Sequence, residues 1–552
     1  MSNPTLDPNK IKSKPLPASL RSIIERLEGV RKFAPSQVRK IILEAGVEPK
    51  DLQPWADFDH PAEDSYGRKL VYKGDNFEIM VMSWRPGDIS TIHDHGHTQW
   101  GCVQVFGPAE HATFRLEDDQ ITTLSRVLLK PRQAIGVSHS LLHQMGNPTR
   151  DTFFLTLHVY GELEEVDNVT GDARVFDLEN GTIQRVDGGV FFALPPDQIK
   201  EVETGPQGDF PTRLRHLIEL ARRLYRIEAR GGANPSDKNL KEVIEQVYSA
   251  KQRTALLDFL AEITDEEGHQ THSALWKVLN WELKEAGKLQ HELHSSQRPE
   301  DPFYQYAEWY DDLIGRPSLE SFMAEYLGFV QSEYGIDLAD KTLISLGCGT
   351  GLVEEYLIRE HGLRKENVFG LDLSEAMVAV AGRRIDAALG DVLALDPGVR
   401  LWDLAFSGLN VFQYLEPRRL EEAIHKTAAI LQPGGLFFGD FITPDHLRWY
   451  PNMVHSGDQE VISLRSPELI ERSGSMFLRS DIVNLCFREG KMKVSCAGKH
   501  DRFLPPVNRV RTYFEKAFGG RVDLYDAITL EPIPEWADSC VSTRYLVVAQ
   551  KS

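Results

Sequence analysis

The chain has 552 residues and a formal net charge of −20, with 62 lysines and arginines against 82 aspartates and glutamates. Its length exceeds one ordinary core, so two or three domains are expected. The acidic balance argues against a general nucleic-acid binder, which needs a basic face, and no apolar run reaches the roughly 18 residues of a membrane span.

Met1-Ser2-Asn3-Pro4 has no apolar segment of the signal-peptide kind. The five cysteines (102, 348, 486, 496, 540) lack pairing spacings, which suits a reducing compartment, and the cytoplasm is the expected location. Residues 18–46 show helical periodicity, with Leu20, Ile23, Ile24 and Leu27 on one face and a second stripe at Val38, Ile41, Ile42 and Leu43. From Lys69 to Tyr160, short Val/Ile/Phe/Thr-rich runs alternate with Gly, Pro and Asp turns. Such runs at 77–82, 101–105, 112–116 and 153–159 predict a β-sandwich or barrel.

Within that stretch stands Ile92-His93-Asp94-His95, with Tyr66-Gly67-Arg68 before it and His143 after it. Read as a strand, the segment puts His93 and His95 on one face and Asp94 on the other. Two imidazoles on an inner face are half of a metal site, and His143 can close it. The plainer reading is a polar turn, since a lone histidine is usually structural. His139 competes with His143 for the third place. His97, His111 and His139 are otherwise expected at the surface or behind the ligands.

The ordered set resembles cysteine dioxygenase, a thiol dioxygenase of the cupin superfamily, over about residues 20–190. Tyr66-Gly67-Arg68 is similar to the family's Tyr-x-Arg, and Trp84 to a family tryptophan. His93-Asp94-His95 is similar to its HxH, Leu142-His143 with Asn147 to its Leu-His-x-x-x-Asn, and Leu157-His158-Val159-Tyr160 to its Leu-His-x-Tyr. The Asn147 spacing favours His143 over His139. The resemblance implies Fe(II) held by His93, His95 and His143, although imidazoles alone do not select the metal. Gln99, near the place where most cupins add a carboxylate, is a poor anionic ligand. It further implies that Arg68 forks a substrate carboxylate, and that Tyr160, oriented by His158, contacts substrate or oxygen, with Tyr66 beside them. The expected reaction converts a small thiol and dioxygen to a sulfinate, and Arg68 leans toward cysteine over 3-mercaptopropionate. Animal members cross-link a cysteine to this tyrosine. Gly101 stands at that place here, and Cys102 is expected to point to the other face.

Residues 212–290 are expected to be helical, with stripes at Leu214, Leu217, Ile218 and Ala221, a polar break at Gly231-Gly232-Ala233-Asn234-Pro235, and no chemical motif. They read as a connector or part of a dimer surface. Ser295-Ser296-Gln297-Arg298-Pro299-Glu300-Asp301-Pro302 reads as a boundary.

Beyond 303, strands at 342–346, 368–373, 403–407 and 435–441 alternate with helices, which predicts a parallel, doubly wound sheet. Leu346-Gly347-Cys348-Gly349-Thr350-Gly351 joins the first strand to a helix, the context in which such a loop carries meaning. A dinucleotide-binding domain would instead show Gly-x-Gly-x-x-Gly. The ordered set, with Asp372, Gly390-Asp391-Val392 and the Pro433-Gly434-Gly435 turn, resembles class I S-adenosylmethionine-dependent methyltransferases over about 303–552. The resemblance implies S-adenosyl-L-methionine as cofactor, with Gly347, Gly349 and Gly351 at its amino-acid portion, Asp372 at ribose, Asp391 and Val392 at adenine, and Ser407 and Asn410 near the methyl group. Tyr306, Tyr310, Trp449 and Tyr450 are candidate pocket walls, and Asp440 and His446 candidate bases.

The expected organisation is therefore an all-β cupin barrel with N-terminal helices over 1–200, a helical connector over 201–300, and an α/β Rossmann-like methyltransferase domain over 301–552. The expected partners are a small-molecule thiol, dioxygen and a methyl acceptor, with neither nucleic acid nor membrane. Three functional readings follow: a bifunctional dioxygenase and methyltransferase, a thiol-sensing cupin that gates a methyltransferase, and a dioxygenase for a larger thiol.

Overall fold

The computed structural model describes residues 16–192, 194–233, 238–294, 303–304, 306–314 and 316–552. Met1-Ser2-Asn3-Pro4, the boundary segment 295–302 and the Asn234-Pro235 end of the polar break lie outside the described residues. The fold divides into two compact units, Met1–Ile263 with His272–Leu289, and Thr264–Thr271 with Gln290–Ser552. No helix among the described residues is long and apolar enough to cross a membrane.

The first unit opens with helices α1 (Ala18–Leu27), α2 (Pro35–Ala45) and α3 (Pro49–Leu52). Strands β1 (Gly67–Lys73), β2 (Phe77–Trp84), β3 (Trp100–Val105), β4 (Ala109–Glu117), β5 (Gln120–Leu129), β6 (Ala134–Ser138), β7 (Leu142–Gly146) and β8 (Phe154–Gly161) follow. One sheet has the order β1-β2-β8-β3-β6, and a second runs β5-β4-β7. The strand period of two sorts side chains into two cores. Met80, Met82, Trp84, Val103 and Tyr160 share the inner core. Ile79, Val81, Cys102, Leu157 and Val159 face outward and pack with Leu20, Ile23 and Ile24 of α1 and Val38 and Ile42 of α2. Leu43 is 40% exposed and falls off that face.

Three further strands, β9 (Ala173–Asp177), β10 (Thr182–Val186) and β11 (Glu201–Thr204), form a small sheet, and β12 (Gln207–Gly208) pairs with β5. Helices α4 (Phe210–Ala229), α5 (Leu240–Val247), α6 (Gln252–Ile263) and α7 (Ser273–His294) complete the stretch, and up to Leu289 they belong to the first unit apart from the short segment Thr264–Thr271. The reason is a buried ionic network. Arg215 of α4 donates to Glu110 of β4 at 2.7 Å and to Glu282 of α7 at 3.0 Å, and Arg126 of β5 donates to the same Glu282 at 2.6 Å. Buried charges with several partners fix a unique arrangement, because losing one strands the others.

In the second unit, α8 (Tyr310–Ile314) and α9 (Arg316–Tyr334) precede β13 (Leu343–Leu346), α10 (Leu352–Glu360), β14 (Val368–Asp372), α11 (Glu375–Ala381), β15 (Asp386–Leu389), β16 (Trp402–Ser407), α12 (Pro417–Ala429) and β17 (Leu431–Ile442). Then come β18 (Met453–His455), β19 (Val461–Arg472), β20 (Ser475–Arg488), β21 (Lys491–Phe503), α13 (Val507–Phe518), β22 (Gly519–Asp526) and β23 (Arg544–Lys551). The main sheet has the order β15-β14-β13-β16-β17-β23-β22. It is parallel from β15 to β17, while β23 pairs antiparallel to both β17 and β22. The expectation of a parallel doubly wound sheet thus holds for five strands and gives way at one edge. The antiparallel sheet β18-β19-β20-β21 is an insertion that the strand–helix reading did not anticipate.

Candidate active sites

In the first unit, the donor atoms of His93, His95 and His143 all lie within 4.8 Å of one another, and all three side chains are buried. The HxH segment is not a strand. It is an extended stretch that bridges at His93, whose backbone exchanges two 3.0 Å hydrogen bonds with His143 of β7. The alternation holds all the same, because Asp94 turns the other way and accepts from Arg174 Nε at 2.6 Å. Gly96 ends the stretch at φ 53°, and a Cβ there would meet the Gly171 carbonyl oxygen at 2.0 Å, so only glycine fits.

Hydrogen bonds set the imidazole tautomers. His93 Nδ1 donates to the Thr91 carbonyl at 2.9 Å, which turns Nε2 toward the triad as a bare lone pair. His143 Nδ1 meets His111 Nε2 at 3.0 Å, so its Nε2 is likewise turned inward. Neither ring nitrogen of His95 has a formed hydrogen bond, although the Leu141 carbonyl is close enough to bear on its charge. Burial holds His93 down to about 4 and His95 and His143 well below the ordinary histidine range. Three neutral, buried imidazoles with converging lone pairs form the donor set of a late first-row divalent metal, and a buried imidazole without a hydrogen bond is otherwise costly. The residues present therefore fit iron. Of the two places expected for His111, the surface or behind the ligands, the structure gives the second. The contact of His111 with His143 depends on the β4–β7 pairing, for which no local motif exists.

A chain of hydrogen bonds runs beside the triad. Trp84 Nε1 donates to Thr156 Oγ1 at 2.9 Å, and Thr156 Oγ1 lies 2.7 Å from His158 Nε2. Burial lowers His158 to about 3, so it is neutral, and its Nδ1 lies 2.7 Å from the Tyr160 hydroxyl. The Tyr160 ring lies 5.1 Å from that of His95, and burial raises the Tyr160 pKa far above the ordinary phenol value. Arg68 donates to Thr170 Oγ1 at 2.9 Å, and its charge bears on both His158 and Tyr160. Tyr66 stacks on Trp84 at 4.7 Å and accepts from the Val190 amide.

The other candidates lie elsewhere. His139 and His97 are exposed. Gln99 turns to His139 at 3.1 Å. Asn147 donates to the carbonyls of Trp84 and Thr152, so it ties the loop after β7 rather than meeting a ligand. Gly101 pairs with Tyr160, and Cys102 packs in the outer core with its thiol pushed up to about 12.

The second unit encloses a cavity of about 840 Å³ at the C-terminal end of β13 and β14. Gly347, Gly349, Asp372 and Val392 line it, whereas Gly351, Asp391 and Ser407 stand behind the lining. Gly347, at φ 79°, would drive a Cβ to within 2.3 Å of Val411 Cγ1. Gly349 faces open space and donates its amide to Asp372 Oδ2 at 2.8 Å, and the other Asp372 oxygen accepts from Ser374 N at 2.9 Å. Asp391 pairs with Arg419 at 2.7 Å, and Ser407 donates to the Leu346 carbonyl at 3.0 Å. Asn410 lines the cavity with an unpartnered side-chain oxygen. Tyr306, Tyr310 and Tyr450 line it too, while Trp449 is 62% exposed. Asp440 is tied to Arg544 and His446 meets Thr543 Oγ1 at 3.0 Å, and neither lines the cavity. The open glycine loop with a carboxylate beside it fits a cofactor with amino-acid and ribose parts.

Comparisons with known proteins match two stretches of the chain to two families. Residues 9–163 match the family model for cysteine dioxygenase type I, and residues 344–435 match one for a methyltransferase domain. Cysteine dioxygenase type 1 of Homo sapiens is 26% identical over 151 residues, which cover 26% of this chain and 74% of that protein. The Bos taurus protein is 25% identical over the same length. Among solved structures, an S-adenosylmethionine-dependent methyltransferase from Clostridium acetobutylicum aligns over 45% of this chain and 99% of its own, with 18% identity and a TM-score of 0.35. The CcbJ methyltransferase from Streptomyces caelestis aligns over 46% and 98%, with 18% identity and a TM-score of 0.33.

Proposed function

We propose that this chain, which joins a cysteine dioxygenase-like domain to a methyltransferase domain, is a bifunctional enzyme that oxidises a small carboxylate-bearing thiol to its sulfinate and, with S-adenosylmethionine, methylates the product or a molecule of the same pathway. The observation that carries this reading is the buried His93, His95 and His143 triad with the Tyr160 hydroxyl beside it.

Iron(II) held by the three imidazoles supplies positive charge that favours a thiolate and the redox chemistry that dioxygen requires. In this reading Arg68 grips the substrate carboxylate through its planar fork and sets the sulfur's position. Tyr160 donates its hydroxyl proton toward substrate or oxygen, held in direction by His158, Thr156 and Trp84. Tyr66 packs against Trp84 and supports the same wall. Both atoms of dioxygen go to sulfur, which loses four electrons, so no external reductant is needed.

In the second unit, S-adenosylmethionine supplies an electrophilic methyl sulfonium. Gly347 and Gly349 admit its amino-acid portion, Asp372 its ribose and Val392 its adenine, while Gly351, Asp391 and Ser407 shape the loops from behind. Transfer then depends mainly on alignment of acceptor and methyl carbon.

The two chemistries have an order. A thioether cannot form a thiolate, so sulfur methylation before oxidation would block the first site. Oxidation comes first, or the methyl goes to nitrogen or oxygen. Incubating the iron-loaded protein with cysteine, oxygen and S-adenosylmethionine tests the proposal by mass spectrometry, and the expected product is heavier by two oxygens and a methyl group. Cysteine sulfinate with untouched cofactor would sink the coupling, and no oxygen uptake would sink the dioxygenase reading.

A further inference from the structure

The cavity of the second unit has ends of opposite charge. Its two lining carboxylates, Asp372 and Glu354, are engaged by the Gly349 and Ser374 amides and by the Ser345 hydroxyl. The inserted sheet lines it with Arg465, Asn484 and Arg502. Four arginines line the cavity in all. Arg419 is paired with Asp391 and Arg544 with Asp440, but Arg465 and Arg502 have no carboxylate partner among the described residues.

Arg502 is 9% exposed. Its terminal nitrogens donate to the Tyr414 hydroxyl at 2.8 Å and the Tyr450 hydroxyl at 3.3 Å, and its Nε has no acceptor. Arg465 Nε reaches Ser463 Oγ at 3.4 Å. Asn484 is 1% exposed, and both its side-chain amide atoms lack a partner. Strand register puts them on one surface: Ser463 lies opposite Asn484, Arg465 opposite Ile482, and Leu478 opposite Arg502. The two cations act together on the hydroxyls of Tyr306, Tyr310, Tyr414 and Tyr450. A guanidinium cannot shed its proton, and Arg502 is answered within the protein only by tyrosine hydroxyls and ring faces, so an anionic ligand would supply the counter-charge that the protein does not. A buried amide with both ends unpaired asks for a donor and an acceptor on the same ligand.

We propose that the methyl acceptor is a small molecule bearing a carboxylate or sulfinate, anchored by Arg465 and Arg502, with a further polar group paired by Asn484. The proposal rests on the reading of this cavity as the methyl-transfer site. It makes the oxyanion an anchor and the inserted sheet the element that selects the acceptor.

The test uses full-length protein saturated with S-adenosylhomocysteine. Calorimetric titration compares propionate, methanesulfinate and cysteine sulfinate with the neutral isosteres propionamide and dimethyl sulfone. At least one oxyanion is expected to bind about tenfold tighter than its neutral counterpart. Arg465→Gln, at the less buried of the two arginines, should abolish that preference and leave S-adenosylhomocysteine affinity unchanged, which also shows that the variant is folded. Asn484→Leu should weaken cysteine sulfinate more than propionate. Oxyanions that bind no better than neutral isosteres, or a preference that survives Arg465→Gln, overturn the proposal. Failure of the wild-type chain to bind S-adenosylhomocysteine overturns instead the reading on which it rests.

Discussion

The two sites treat buried polarity differently. Beside the triad, Trp84, Thr156, His158 and Tyr160 are joined in one line of hydrogen bonds, Thr91 and His111 orient two of the three imidazoles, and His95 alone of the three has no formed hydrogen bond. In the second unit, Asn484, Asn410 and one nitrogen of Arg502 are buried without partners around a cavity of about 840 Å³. The first arrangement pre-orients a few atoms for one kind of chemistry. The second leaves buried polar groups open for a ligand to pair.

That contrast can be broken or sharpened by substitution. The largest effect is expected from His143→Ala, which removes a ligand from the triad. Oxygen uptake should fall by more than about a hundredfold, with S-adenosylhomocysteine binding intact, and retained uptake measured at an oxygen electrode would refute the triad as the iron site. Tyr160→Phe removes the hydroxyl while keeping the ring. A fall of about a hundredfold in kcat with little change in KM is expected, and a change in KM alone would make Tyr160 a binding wall. Asp372→Ala should do the reverse of the triad variant. Cofactor affinity should fall by about ten- to a hundredfold with oxygen uptake unaltered, so loss of both activities would show that the units do not work as independent modules.

The smallest effect concerns pH. Burial raises Glu354 to about 7. A carboxyl whose folded pKa exceeds its unfolded value contributes stability below the unfolded value, near 4.5, and loses it as pH rises through about 7. The second unit should therefore lose about 1–3 kcal/mol between pH 5 and pH 8 from this group, and Glu354→Gln should flatten that slope in thermal melts. An identical slope in the variant would assign the loss to other groups.

Much of the first site was legible because its chemistry sits in short, ordered motifs. His93, His95, His143 and the His158-x-Tyr160 pair meet through strand alternation and one bridge, and alternation is visible in sequence. His111 was not legible, since only the β4–β7 pairing brings it to His143. In the second unit the glycine loop announced itself and three of the four aromatic wall candidates line the cavity, but its arginine-bearing wall was not legible. Arg465, Asn484 and Arg502 are spread over three strands of a sheet that strand–helix alternation does not predict. A signal was available. Ser473-Gly474 and Glu489-Gly490 are two-residue turns with φ near 53–54° and 72–73°, the left-handed pair that closes tight hairpins. The helical stretch after residue 210 carried no motif, and its attachment through Arg215 and Glu282 is a matter of burial that periodicity does not report.

Strand β8 presents Thr156, His158 and Tyr160 to one side and Leu155, Leu157 and Val159 to the other, and each side meets a different core. Such a strand has no slack. One inserted or deleted residue would exchange the two sets, so that leucine and valine faced the imidazoles while histidine and tyrosine were pressed into the oily seam under α1 and α2. Point changes at the site would cost chemistry and leave the packing, but a single-residue indel in β8 would cost shape and chemistry at one stroke.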